Sequence, residues 1–118
     1  MEKDMLVWLE EWYASQCDGY WEHNYGVKIE TFDNPGWGLK IELEDTGINI
    51  DDKSWVKIEI SETEWIGYKI ENGIFDAFGG AHKLNLLIKI FKLLVDNGDI
   101  DEMKVREYLQ DSKPDIFN

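Results

Sequence analysis

Cysteine, histidine, proline and basic residues are all scarce in this chain. A single cysteine, Cys17, excludes a disulfide within the chain and suits a reducing compartment. There is no Cys-x-x-Cys, and His23 and His82, the two histidines, are too far apart in sequence for a His-Glu-x-x-His helix. No metal site and no cofactor is therefore expected. Lys and Arg number 12 against 25 Asp and Glu, a formal charge of −13. Such a surplus repels nucleic acid and anionic membranes, and it suits a basic protein partner. The most apolar run, "LNLLIKIFKLLV", is interrupted by Lys89 and Lys92 and is too short to cross a bilayer. The opening "MEKDMLVWLEEW" lacks the basic-then-apolar pattern of a secretory leader. The cytoplasm is the expected location.

Apolar and aromatic residues, by contrast, are plentiful. A hydrophobic fraction of 43% with six tryptophans in 118 residues supplies one packed core. No linker or shift of composition divides the chain, so residues 1–118 read as one domain, with 110–118 as a loose tail.

One tetrapeptide pattern recurs. Val27-Lys28-Ile29-Glu30, Leu39-Lys40-Ile41-Glu42, Val56-Lys57-Ile58-Glu59 and Tyr68-Lys69-Ile70-Glu71 each alternate apolar and charged residues. Strands turn successive side chains to opposite faces, so each copy predicts a strand with one dry and one wet side. Lys and Glu of neighbouring strands are then placed to pair across the ladder. Asn34-Pro35-Gly36 and Asn72-Gly73 are turn sequences, the second leading into a fifth strand, "IFDAF". Before the strands, Met5, Trp8, Leu9 and Trp12 have helical spacing, with Asp4 as N-cap and Gly19 beyond the end. After Gly79-Gly80 a second helix is predicted over about 81–96, its polar residues Asn85, Lys89, Lys92 and Asp96 confined to one stripe. Asn97-Gly98 stops it, and Asp101 caps a third helix carrying Met103, Val105, Tyr108 and Leu109. The expected fold is α+β: an N-terminal helix, an antiparallel meander of four to five strands with one face covered, then two C-terminal helices.

Chemistry-bearing residues concentrate in "CDGYWEHNYGV", residues 17–27. A catalytic reading makes Cys17 a nucleophile with His23 as base and Asp18 or Glu22 as orienting group. Against it, Cys17 lies at a helix C-terminus, where the helix dipole disfavours a thiolate. "DNGDIDE" and "EDTGINIDD" do not match a calcium loop. Gly79-Gly80 lacks the Lys-Ser/Thr of a phosphate-binding loop, and His82 reads as a surface or cap residue. Tyr20, Trp21, Tyr25 and Trp37 fall in or beside loops, where aromatics among carboxylates suit a protein contact.

The stretch from Trp8 to Leu43 resembles the immunity protein 53 family of bacterial polymorphic toxin systems. The motifs that carry this are Trp-Leu-x-x-Trp-Tyr, Cys-Asp-Gly-x-Trp-Glu-His-x-Tyr-Gly and Asp-Asn-Pro-Gly-Trp. The Glu64-Trp65 pair and the Gly-Gly before the long helix extend it. The resemblance implies a non-enzymatic inhibitor of a cognate toxin domain, and the acidic balance points to a basic target such as a nuclease. The expected contact patch is Asp18, Trp21, Glu22, His23, Tyr25 and Trp37. One alternative is a small-ligand site or enzyme at the Cys17–His23 loop. Another makes that loop a fold determinant, with contact through the wet sheet face or "EDTGINIDD".

Overall fold

The computed structural model describes residues 4–111. Helix α1 spans Met5–Gln16, and the Asp4 carboxylate accepts from the N–H groups of Leu6 (2.7 Å) and Val7 (3.3 Å). Leu9 and Trp12 are buried, and Met5 and Trp8 are half-buried beside them. A short helix not foreseen from the sequence, α2 (Trp21–Asn24), follows. The strands are β1 (Val27–Phe32), β2 (Gly36–Glu42), β3 (Lys53–Glu59), β4 (Trp65–Glu71) and β5 (Ile74–Gly80). Helices α3 (Leu84–Asn97) and α4 (Glu102–Asp111) complete the described chain. Gly98 stops α3 at φ 76°, and Asp101 accepts from the N–H of Met103 at 2.9 Å. Gln110 and Asp111 belong to α4, while the rest of the expected tail lies outside the described residues.

The α+β class and the single antiparallel sheet stand as read, but the strand order is β1-β2-β5-β4-β3 rather than sequential. The Asn72-Gly73 hairpin joins β4 to β5 with both turn residues at positive φ, 54° and 75°. Strand β5 then slots in beside β2, pairing Leu39 with Ala77 and Ile41 with Phe75. The 43–52 connection makes this possible. Three inter-strand spacings, roughly 14 Å, separate β2 from β3, and the loop crosses them at the β4–β5 turn. It is tied there by Leu43 N–H to Gly73 O (2.8 Å) and by Asn72 N–H to the Asp52 carboxylate (3.1 Å).

Period-two alternation sends Leu39, Ile41, Val56, Ile58, Tyr68 and Ile70 to one face, with Ile66, Phe75 and Ala77 beside them. Helix α3 lies across that face through Leu87, Ile90, Phe91 and Leu94, all fully buried, and α1 and α4 both pack against α3. The polar stripe of α3 is partly covered by these neighbours. Lys92 sits 5.8 Å from the Trp8 ring and Lys89 5.4 Å from Tyr108. Gly79-Gly80 ends β5, and the helix begins at Leu84 rather than at about residue 81. A Cβ on Gly79 would stand 2.7 Å from the Cβ of Lys83.

Lysine and glutamate pair differently from the expected cross-strand pattern. Register sets Lys28 against Lys40, Glu30 against Gly38, Lys57 against Gly67 and Glu59 against Trp65. The ion pairs therefore form within strands, two residues apart: Lys28–Glu30 at 3.8 Å, Lys57–Glu59 at 3.5 Å and Lys69–Glu71 at 3.4 Å. Such exposed pairs add little stability.

Candidate partner-binding surfaces

Two regions compete for a functional role: the 17–26 loop singled out from the sequence, and the sheet face that no described helix covers. The loop is built from inward-looking hydrogen bonds. Asp18 accepts from the N–H groups of Tyr20 (2.9 Å) and Trp21 (3.0 Å), opening α2. Glu22 reaches back to the N–H groups of Asp18 (3.0 Å) and Gly19 (2.8 Å), and Gly19 takes φ 92° to allow that turn. Backbone hydrogen bonds are the main reason that both carboxyls are held below their ordinary range. Both are thus kept ionised, the opposite of what a general acid needs.

Trp21 is 1% exposed. Its indole N–H donates to the Glu44 carbonyl at 2.9 Å, and its ring meets Trp12 edge-on at 6.0 Å and Tyr13 at 5.9 Å. Tyr25 is half-buried between Tyr20 and Trp21, and His23 is exposed. Trp37 is not in this group. It lies at the far end of β2, and its indole N–H donates to Ala81 O at 2.8 Å. Of the six candidate contact residues, the structure gathers Asp18, Trp21, Glu22, His23 and Tyr25 and leaves Trp37 apart. Cys17 is exposed, with its thiol donating to Tyr13 O at 3.3 Å. No three of the described His, Cys, Asp and Glu side chains are placed to hold a metal ion. No described helix is long and apolar enough to cross a membrane.

The uncovered face divides into two halves. One is charged, with Lys40, Asp76 and Lys69 side by side on β2, β5 and β4. Asp76 is buried and its Oδ1 has no hydrogen-bond partner among the described residues. Burial pushes its carboxyl above the ordinary range, partly offset by Lys40 and Lys69, with Glu30 and Glu71 adding to the rise. A raised folded-state value means that the folded protein resists ionising Asp76. Stability is lost as pH rises from the unfolded value, about 4, through the folded one, and the loss is complete above it. Asp76→Asn is therefore expected to raise the urea midpoint at pH 7, with the gain shrinking below about pH 4. Paired urea titrations of the two proteins at both pH values check this.

The other half is aromatic. Phe78 stands on β5 between Gly38 of β2 and Gly67 of β4. The Phe32 ring lies over Gly38 and the Trp55 ring over Gly67, where an added Cβ would meet them at 2.9 and 2.8 Å. Both rings contact Phe78, at centroid distances of 5.3 and 5.2 Å. Trp65 completes the cradle, with Lys57 Nζ 5.7 Å from its ring. Together with Asn34 these residues line an open concavity of about 340 Å³. A further concavity, of about 390 Å³, lies under the 43–52 loop and is lined by Glu44, Asp45, Ile48 and Gly73 among others.

Sequence reasoning missed the cradle, although one cue was present. Extending the alternation beyond each Lys–Glu pair puts Phe32, Trp55, Trp65 and Gly67 on the wet side. It also missed the ion pair of Lys83 and Glu64, 2.5 Å apart with side chains 0% and 5% exposed. Nothing in the local sequence marks Lys83 as a buried residue.

These features define a small acidic α+β domain whose distinctive surfaces are a tied loop and an open aromatic sheet face. The chain belongs to the Immunity protein 53 family, whose pattern matches residues 6–96, from the first turn of α1 to the end of α3. No curated protein and no solved structure matches it. Family membership implies a non-enzymatic immunity role with a cognate toxin as partner.

Proposed function

We propose that this protein binds and neutralises a cognate bacterial toxin in the cytoplasm of the producing cell, pressing an acidic, aromatic surface onto a basic toxin site such as that of a nuclease. The uncovered sheet face carries this reading. All the described helices that pack on the sheet lie on its other side, leaving half-buried and exposed rings among carboxylates in an open area. Aromatic anchors within a polar surround are the composition of a protein-contact surface. The formal charge of −13 adds long-range attraction for a basic partner and speeds encounter. In the same reading Asp18, Glu22, His23 and Tyr25 form a second candidate contact, which Trp21 holds from beneath.

The experiment is calorimetry with the toxin domain encoded beside this protein, together with growth rescue on co-expression. A Kd of about 1 μM or tighter is expected, with association slowing as salt rises. Absence of heat at tens of micromolar, with no rescue, would overturn the reading.

A further inference from the structure

We propose that the cradle of Phe32, Trp55, Trp65 and Phe78 is the place where the toxin docks, and that it takes a basic, arginine-bearing segment of that partner. This deepens the toxin-binding reading and depends on it.

Construction is the first argument. Glycines on both sides of Phe78 let Phe32 and Trp55 reach over the neighbouring strands, their rings 2.9 and 2.8 Å from where a Cβ would stand. Rings laid down in this way are fixed before a partner arrives, so little rotamer freedom is lost on binding. Yet Trp55 is still 44% exposed, an unusual state for the largest side chain.

Charge is the second argument, and it selects the occupant. The lysines Lys28, Lys40 and Lys69 belong to the other half of the face or its edge. Around the cradle, Glu30 and Glu59 stand on the same face as the rings, and Asp33 and Glu62 lie in the adjoining loops, against Lys57 alone among the described residues. Lys57 itself shows what the site accommodates. Its ammonium sits near the Trp65 ring while paired with Glu59 at 3.5 Å. A cation between an aromatic face and a carboxylate is thus already present at the rim. A guanidinium suits the neighbouring aromatic rings better than an ammonium, because it is planar, stacks, and sheds water more readily.

The test uses calorimetry of the full chain with the neighbouring-gene toxin, comparing wild type, Trp55→Ala and Gln110→Ala, an exposed position on α4 outside both surfaces, each checked by thermal melting. Trp55→Ala is expected to weaken binding about 30-fold or more, while Gln110→Ala stays within about twofold. Oxidative footprinting of the wild-type complex supplies a readout free of any folding defect. Trp55 should be protected on binding, and the protected stretch of the toxin should contain arginine. If wild type binds but Trp55 stays equally reactive and Trp55→Ala binds normally, the cradle is wrong and the immunity reading survives. A protected toxin segment without arginine overturns the chosen occupant. So does a dimer in sedimentation that itself shields Trp55. If wild type shows neither binding nor rescue, both readings fall.

Discussion

Lys83→Ala is expected to lower stability by about 3–5 kcal/mol, the usual cost of stranding one partner of a buried ion pair. Lys83 is fully buried immediately before α3, and its ammonium meets Glu64 at 2.5 Å. Glu64 is anchored in turn, its N–H donating to Ser61 Oγ at 3.1 Å and its carbonyl accepting from Ile60 N–H at 2.8 Å. The pair therefore ties the start of the long core helix to the β3–β4 connection. Removing the lysine leaves a nearly buried carboxylate without its ammonium, together with the space of a large side chain. Small domains have only about 5–15 kcal/mol in total, so the variant should be marginal, its urea midpoint lower by about 2 M. Joint replacement, Lys83→Met with Glu64→Gln, removes both charges and should recover a substantial part of that loss. A double-mutant cycle from urea titrations decides the matter. If Lys83→Ala melts like wild type, the pair contributes nothing to the fold.

Much of the architecture was legible because it rests on periodicity. The repeated apolar–Lys–Ile–Glu copies place Leu39, Ile41, Tyr68 and Ile70 in the core, as alternation requires. Asp4, Gly98 and Asp101 act at helix ends in the manner that their side chains and backbone freedom allow. Strand order was not legible, since the pairing of β2 with β5 depends on tertiary packing and on a long loop swinging aside. That adjacency also hides the cradle. Gly38 flanks Phe78 only once β2 lies beside β5, so the meeting of Phe32 with Phe78 has no local trace in the sequence. The same holds for Lys83, whose partner is 19 residues away along the chain.

The loop from Cys17 to Gly26 shows how far residue types alone can point. Its acids, histidine and rings suggested a contact patch, and Trp21→Ala separates contact from architecture there. The expected result is a loss of about 3–5 kcal/mol of stability, as for other large aromatic side chains deleted from a core. Trp21 is 1% exposed, packs against Trp12 and Tyr13 of α1 and against Tyr25 at the end of α2, and bonds to the Glu44 carbonyl at the start of the 43–52 connection. Its removal opens a large cavity and leaves that carbonyl without its indole donor. Trp21→Phe keeps most of the apolar volume and gives up the hydrogen bond, so it should cost about 1–2 kcal/mol. His23→Ala, at an exposed position on the same short helix, should leave the urea midpoint unchanged. Measured together, the three variants give a graded series if the loop is a fold device. A Trp21→Ala protein with wild-type stability but impaired toxin binding would instead make Trp21 a contact residue, despite its burial.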